Sequence, residues 1–200
     1  NNTLIGGSAP EDRNIIAANI YGVYLTGSSL DKVENATIKG NNIFVARDSV
    51  TALPSSSSNT FNIAGGIFAA DVDGLDIGGS TAGEGNNIEN AQMSVLNTSN
   101  AHGIRLDGGN GGGTSTVTDV RILGNRVIGN DRGITLDGAG VSNVTIGGSG
   151  ANSGNVISGN NAEGIKITSS TNVSISNNKI GVADNGTSDL GNGYEGISVY

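Results

Sequence analysis

The chain comprises 200 residues, with 34 glycines, two prolines, no cysteine, no tryptophan and a formal net charge of −8. Zero cysteine rules out disulfides, thiolate catalysis and cysteine-ligated metals, and the acidic balance would repel a nucleic-acid backbone or an anionic membrane surface. Three Phe and four Tyr are too few to fill a wide core, so a narrow interior lined by Ile, Val and Leu is expected.

Taken in chain order, the sequence alternates three kinds of short run. The opening Asn1-Asn2-Thr3-Leu4-Ile5 already reads as repeat. Asn14-Ile15-Ile16 follows, then Gly22-Val23-Tyr24-Leu25, after which the same three patterns recur. Runs like the first are Ala36-Thr37-Ile38, Leu75-Asp76-Ile77, Val120-Arg121-Ile122, Val144-Thr145-Ile146 and Val173-Ser174-Ile175. Runs like the second are Asn42-Ile43-Phe44, Asn87-Ile88, Val127-Ile128, Asn155-Val156-Ile157 and Lys179-Ile180. The third pattern returns at Gly66-Ile67-Phe68-Ala69, Gly103-Ile104-Arg105-Leu106, Gly133-Ile134-Thr135-Leu136, Gly164-Ile165-Lys166-Ile167 and Gly196-Ile197-Ser198-Val199.

Alternation over so few residues means half-buried strands. Such strands are stable only when each pairs with its equivalent in a neighbouring repeat, roughly 4.8 Å away. The expected fold is therefore all-β: a right-handed parallel β-helix, a solenoid of about six coils with three parallel sheets and loop insertions. Insertions are expected at 48–60, 91–101, 107–116 and 183–193, projecting from corners. Corners favour Gly and Asn in the left-handed region, and Asn125, Asn155 and Asn178 are expected to form a side-chain ladder. No run is long and apolar enough to cross a bilayer, and no signal peptide opens the chain. Residues 1–200 read as one domain, a fragment expected to continue in both directions.

Gly154-Asn155-Val156-Ile157-Ser158-Gly159-Asn160, then Gly164-Ile165-Lys166-Ile167, Asn178-Lys179-Ile180-Gly181 and Asn185-Gly186-Thr187, resembles the parallel β-helix repeats of very large secreted bacterial surface proteins. The resemblance covers nearly the whole chain and is weakest over 48–74. It implies an extracellular or cell-surface location. The wider pectate-lyase-like superfamily includes lyases, hydrolases, epimerases, fibres, adhesins and structural rods, so the resemblance specifies fold and leaves activity open.

Enzymes of that superfamily carry their chemistry on the outer face of one sheet. The outward column of the glycine-initiated strands reads Tyr24, Phe68, Arg105, Thr135, Lys166, Ser198, and the next reads Thr26, Ala70, Asp107, Asp137, Thr168, Tyr200. Asp107 and Asp137 would be vertical neighbours, able to share glycosidase roles or to ligate Ca²⁺, with Arg105 beside them for a lyase-like reaction on a uronate. The plainer reading is two solvated aspartates starting loops, each followed by Gly. His102, the one histidine, reads as a surface corner residue, with Asp131-Arg132 and Glu163 in the same solvated column. Asp119 and Arg121 near Asp76 read as a weak surface ion pair.

The stacked glycines Gly22, Gly66, Gly103, Gly133, Gly164 and Gly196 read either as a corner requirement or as a bare strip that a glycan, rod or loop could approach. Tyr24 and Phe68 flank it, and packing under the Ser-rich insertion suits Phe68. The triplets starting at Asn35, Asn143 and Asn172 match the glycosylation pattern but are expected by chance and carry no assigned role. The resulting functional expectation is a structural and adhesive extracellular rod in a surface or filament protein. Its partners would be other copies or domains of that protein and glycans. The alternatives are a polysaccharide-active lyase or hydrolase using Arg105, Asp107 and Asp137 around Ca²⁺, or a trimerising fibre. Motifs of polygalacturonase type and of nucleotide or redox cofactors are absent.

Overall fold

The computed structural model describes residues 2–45, 65–91, 101–109 and 113–200. Each coil contributes three strands. The first holds β1 (Leu4–Gly6), β2 (Ile15–Ile16) and β3 (Tyr21–Thr26), and the second β4 (Val33–Lys39), β5 (Asn42–Ile43) and β6 (Gly65–Ala70). The third holds β7 (Val72–Gly78), β8 (Asn87–Glu89) and β9 (His102–Asp107), and the fourth β10 (Val117–Leu123), β11 (Arg126–Ile128) and β12 (Arg132–Asp137). The fifth holds β13 (Val141–Gly147), β14 (Val156–Ser158) and β15 (Ile165–Thr168), and the sixth β16 (Thr171–Ser176), β17 (Lys179–Ile180) and β18 (Ile197–Val199). Every third strand pairs in parallel, giving three six-stranded sheets, a parallel β-helix.

Register follows the aliphatic columns. In the first sheet Ile5, Ile38, Ile77, Ile122, Ile146 and Ile175 stack as Cα partners. In the third, Val23, Ile67, Ile104, Ile134, Ile165 and Ile197 do the same. These columns, apart from the exposed Ile197 of the last coil, form one continuous core with Ile43, Ile88, Val127 and Ile157 of the second sheet. A one-residue slip would turn every one of them to solvent, so burial fixes the register.

A ladder of asparagines runs along the corner between the first and second sheets. Asn14 Nδ2 donates to Asn41 Oδ1 at 2.8 Å, Asn41 to Asn86 at 3.0 Å, Asn86 to Asn125 at 2.9 Å, Asn125 to Asn155 at 3.1 Å and Asn155 to Asn178 at 2.8 Å. Each Oδ1 from Asn86 to Asn178 also accepts a backbone N–H from the ladder residue one coil earlier. The ladder thus contains the three asparagines expected, but in the second and third coils it uses Asn41 and Asn86, one residue before the Asn-aliphatic runs that the sequence suggested. Both coils carry an Asn-Asn doublet, and the second member is the strand residue. A second ladder joins Asn130, Asn160 and Asn192 between the second and third sheets.

The first-to-second-sheet corner has two alternating forms. In odd coils a segment, 7–13, 79–85 or 148–154, intervenes before the ladder asparagine. In even coils a single residue does so, Gly40 (φ 68°), Gly124 (φ 67°) or Asn177 (φ 58°). Gly40 N–H donates to Glu84 O at 2.8 Å and Gly124 N–H to Ser153 O at 2.9 Å, so each longer segment covers the short corner beside it. A Cβ on Gly124 would meet Asn152 O and Gly79 O from both sides. Asn177 tolerates a side chain, which donates to Gly148 O at 3.0 Å.

The six glycines that open the third-sheet motif answer to neither sequence reading. None has positive φ, and Gly66, Gly103, Gly133 and Gly164 are buried. A Cβ on Gly22, Gly66, Gly103 or Gly133 would run into the Cγ of Ile43, Ile88, Val127 or Ile157 and into the carbonyl of the glycine one coil on. These four are glycines because second-sheet side chains fill the space, and no bare outer strip exists at them, whereas Gly196 in the last coil is exposed.

Left-handed residues instead form a column within the first sheet: Asn2, Asn35, Gly74, Asp119, Asn143 and Asn172. Asn, Asp and Gly tolerate that region best, which explains the asparagines of the three glycosylation-like triplets. They are exposed, and Asn172 Nδ2 donates to Asn143 Oδ1 at 2.6 Å and Asn143 Nδ2 to Asp119 Oδ1 at 3.0 Å. The insertion 183–193 leaves the corner after β17, folded back by a Val182–Asp189 antiparallel bridge. Most of the insertions expected at 48–60 and 91–101, and residues 110–112, lie outside the described residues. No described helix is long and apolar enough to cross a membrane.

Candidate functional site on the third sheet

The two outward columns read from the sequence are those of the structure, except that Tyr200 lies past the end of β18 and is not paired with Thr168. Tyr24, Phe68, Arg105, Thr135, Lys166 and Ser198 are successive partners, as are Thr26, Ala70, Asp107, Asp137 and Thr168. Parallel pairing at roughly 4.8 Å per coil makes each column a line of adjacent side chains. Along them an aromatic stretch is followed by a charged one.

At the first coils the column is aromatic. Tyr24 and Phe68 stack at 4.9 Å with planes 10° apart, and Tyr21 leans on both. Burial, with Tyr24 and Asp107 adding to it, pushes the Tyr21 hydroxyl up to about 12. Tyr24 remains 53% exposed, whereas Phe68 is buried.

The next coils carry charge. Arg105 Nη2 donates to Asp107 Oδ2 and Asp137 Oδ2, each at 2.9 Å, so the expected neighbours are bridged by the guanidinium. Asp107 Oδ1 accepts from Gly109 N–H at 3.0 Å, the turn role read from the Asp-Gly pair. Arg105 lies 6.0 Å from the Phe68 ring centre, and its buried Nε has no partner among the described residues.

His102 departs from its sequence reading. The ring is only 4% exposed, and its Nδ1 lies 2.8 Å from Thr135 Oγ1 of the next coil. β9 begins at His102, not after it, so the residue is part of the sheet and pairs with Arg132. Burial, with Arg105, Arg132 and Lys166 nearby, pulls its pKa down to about 3, so the ring is neutral.

The supposed solvated column is closed as well. Asp131 and Glu163 are buried, and Asn161 Nδ2 donates to Asp131 Oδ1 at 3.0 Å. Arg132 Nε donates to Glu163 Oε2 at 2.7 Å, and Lys166 Nζ lies 3.7 Å from Oε1. Burial opposes ionisation of Glu163, but the Arg132 hydrogen bond, the backbone and the two cations outweigh it and hold the carboxyl below its ordinary range. Lys166 also sits 5.4 Å above the Tyr200 ring. The sequence signal for this cluster was the residue before each motif glycine, polar in His102, Arg132, Glu163 and Glu195.

Part of this cluster lines a cavity of about 450 Å³, within the roughly 300–1,000 Å³ of small-molecule sites. Its wall includes His102, Arg105, Arg132, Asp137, Lys166 and Tyr200. On the first sheet the Asp76–Arg121 pair is bidentate at 2.6 and 2.5 Å and largely exposed, as expected, while Asp119 bonds Asn143 instead.

Calcium takes roughly six to eight oxygens. The donors here are two carboxylates already shared with Arg105, and among the described residues no three His, Cys, Asp or Glu side chains group as a metal site. The residues present do not fit calcium. Comparison of the chain with protein-family models, with curated proteins and with solved structures found no match.

Proposed function

We propose that this chain is a rigid section of an extracellular surface or filament protein, structural and adhesive, whose third-sheet face holds glycans without cleaving them. The observation that carries this reading is the asparagine ladder, continuous from Asn14 to Asn178. Every coil is stapled to the next by a buried or partly buried amide in addition to its three strand pairs. Such a stack resists bending, and its outward columns repeat at a fixed spacing suited to an extended partner. Other copies or domains of the same surface protein and glycans are the partners it suits.

One observation favours the enzymatic alternative: Asp107 and Asp137, from adjacent coils, converge on one guanidinium nitrogen at 2.9 Å each, so a pair of carboxylates faces a single point, as glycosidases need. Against it, the guanidinium stands where an anomeric carbon would have to sit. The test is to incubate the protein with acidic and neutral polysaccharides and follow both retention and chain length. Retention with unchanged chain length is expected. New reducing or unsaturated ends, lost in Asp137→Asn, would replace this reading with the enzymatic one.

A further inference from the structure

We infer that the sixth coil of one copy docks on the first coil of a second copy, carrying all three sheets on from chain to chain. The inference deepens the rod reading above by naming the face through which copies meet.

Both end coils leave core columns open. Ile197 and Val199 extend inward columns, yet they are 44% and 71% exposed, against 0% and 5% for Ile165 and Ile167 one coil earlier. In the first coil Ile5, Ile16 and Leu25, one from each sheet, are only partly buried. The insertion 183–193 turns away from the open face. Arg126 Nε donates to Asp184 Oδ2 at 3.1 Å, Ser158 Oγ to Val182 O at 2.7 Å and Gly159 N–H to Leu190 O at 2.9 Å, so it folds back on the fourth and fifth coils.

The two faces match each other in corner form and in both ladders. The sixth coil has a short corner and the first a long one, so segment 7–13 of a second copy would cover Asn177 as 79–85 and 148–154 cover Gly40 and Gly124. Each ladder amide donates to Oδ1 one coil on. Asn178 would therefore meet Asn14 of the next copy, whose Oδ1 accepts no bond among the described residues. The most specific match is Asn19. Register from Ile16 puts it in the place that Asn130, Asn160 and Asn192 hold in the second ladder. The third coil has Ala91 there, and within its own chain the Asn19 amide reaches only Ala17 O, at 2.9 Å. Stacked on Asn192 of another copy, it adds a rung. Open strand edges pair with other chains, and a contact between two different faces of identical chains repeats without closing, which gives a filament.

The test is analytical ultracentrifugation of the full chain at rising concentration, where the mass should grow beyond a dimer. Asn19→Ala should weaken association about tenfold or more, because Asn192 loses its acceptor at the junction. Asn19 is exposed, so this variant should melt with the wild type. The chain has no cysteine, so a mixture of Leu4→Cys and Ser174→Cys chains reports register on oxidation. The two positions share one column of Cα partners and should cross-link to each other, whereas Leu4→Cys with Asn172→Cys, two residues out of register, should not. A monomer at every concentration, association undiminished in Asn19→Ala, or cross-linking of the shifted pair instead would overturn the junction and leave the glycan-holding rod standing. That reading fails separately, on cleavage of a polysaccharide, which would leave the junction standing.

Discussion

His102 is neutral in the folded chain because burial depresses its pKa from 6.5 to about 3. A base with a lowered folded pKa contributes full stability above its unfolded value and loses it as pH falls below 6.5 toward 3. Linkage over two pH units gives a loss of up to about 2–3 kcal/mol. Thermal unfolding at pH 7.5 and 4.5 should show the wild type losing more stability than His102→Gln; equal losses would mean that the ring protonates without penalty. Gly133 has no conformational requirement but no space either, its missing Cβ being aimed at Gly164 O and Ile157. Gly133→Ala should cost about 1–3 kcal/mol or more through overpacking, and Gly191→Ala, at an exposed position whose nearest atom is Asp189 Oδ1 at 3.6 Å, less than about 0.5. Denaturant midpoints compare the two directly.

Among the elements, the corner between the first two sheets depends most on single side chains. Asn125 donates to Ile77 O, Leu123 O and Asn155 Oδ1 and accepts from Asn86 N–H and Nδ2. Asn125→Ala would strand buried partners on both neighbouring coils, each costing about 1–3 kcal/mol. Asn178 sits at the far end of the ladder and is partly exposed, so Asn178→Ala should cost markedly less. Urea unfolding of the two variants checks the order, and equal losses would remove the ladder from the account of rigidity.

The strands themselves were legible because a half-buried strand writes period-two alternation into the sequence and stacked strands write it repeatedly. The ladder was legible except where Asn41-Asn42 and Asn86-Asn87 offered two candidates. The burial of His102 and Glu163 was not legible, since it depends on how a strand's first residue packs against a neighbouring coil. Nor was the steric origin of the glycine column, which depends on second-sheet side chains reaching across the core. The alternation of corners had a signal that reading by the third-sheet motif passed over: Ile-Gly-Gly-Ser occurs at 5–8, 77–80 and 146–149, in odd coils alone.

At the scale of the whole molecule, three parallel sheets and a continuous ladder make a stack whose outer faces are lines of fixed chemistry. Of the proposed site, the outward columns and the Arg105, Asp107 and Asp137 grouping were visible in the sequence. The cavity was not, because it needs His102, Arg132 and Lys166 from successive coils. On the proposed reading, this rod holds a glycan along its third sheet and leaves it uncut. Amide hydrogen exchange with and without the polysaccharide that it retains best, with the sugar's length checked afterwards, tests this most directly. Added protection is expected in β9, β12 and β15, with none in β7, β10 and β13 and an intact sugar. Protection gained on the first sheet instead, or a shortened sugar, would contradict it.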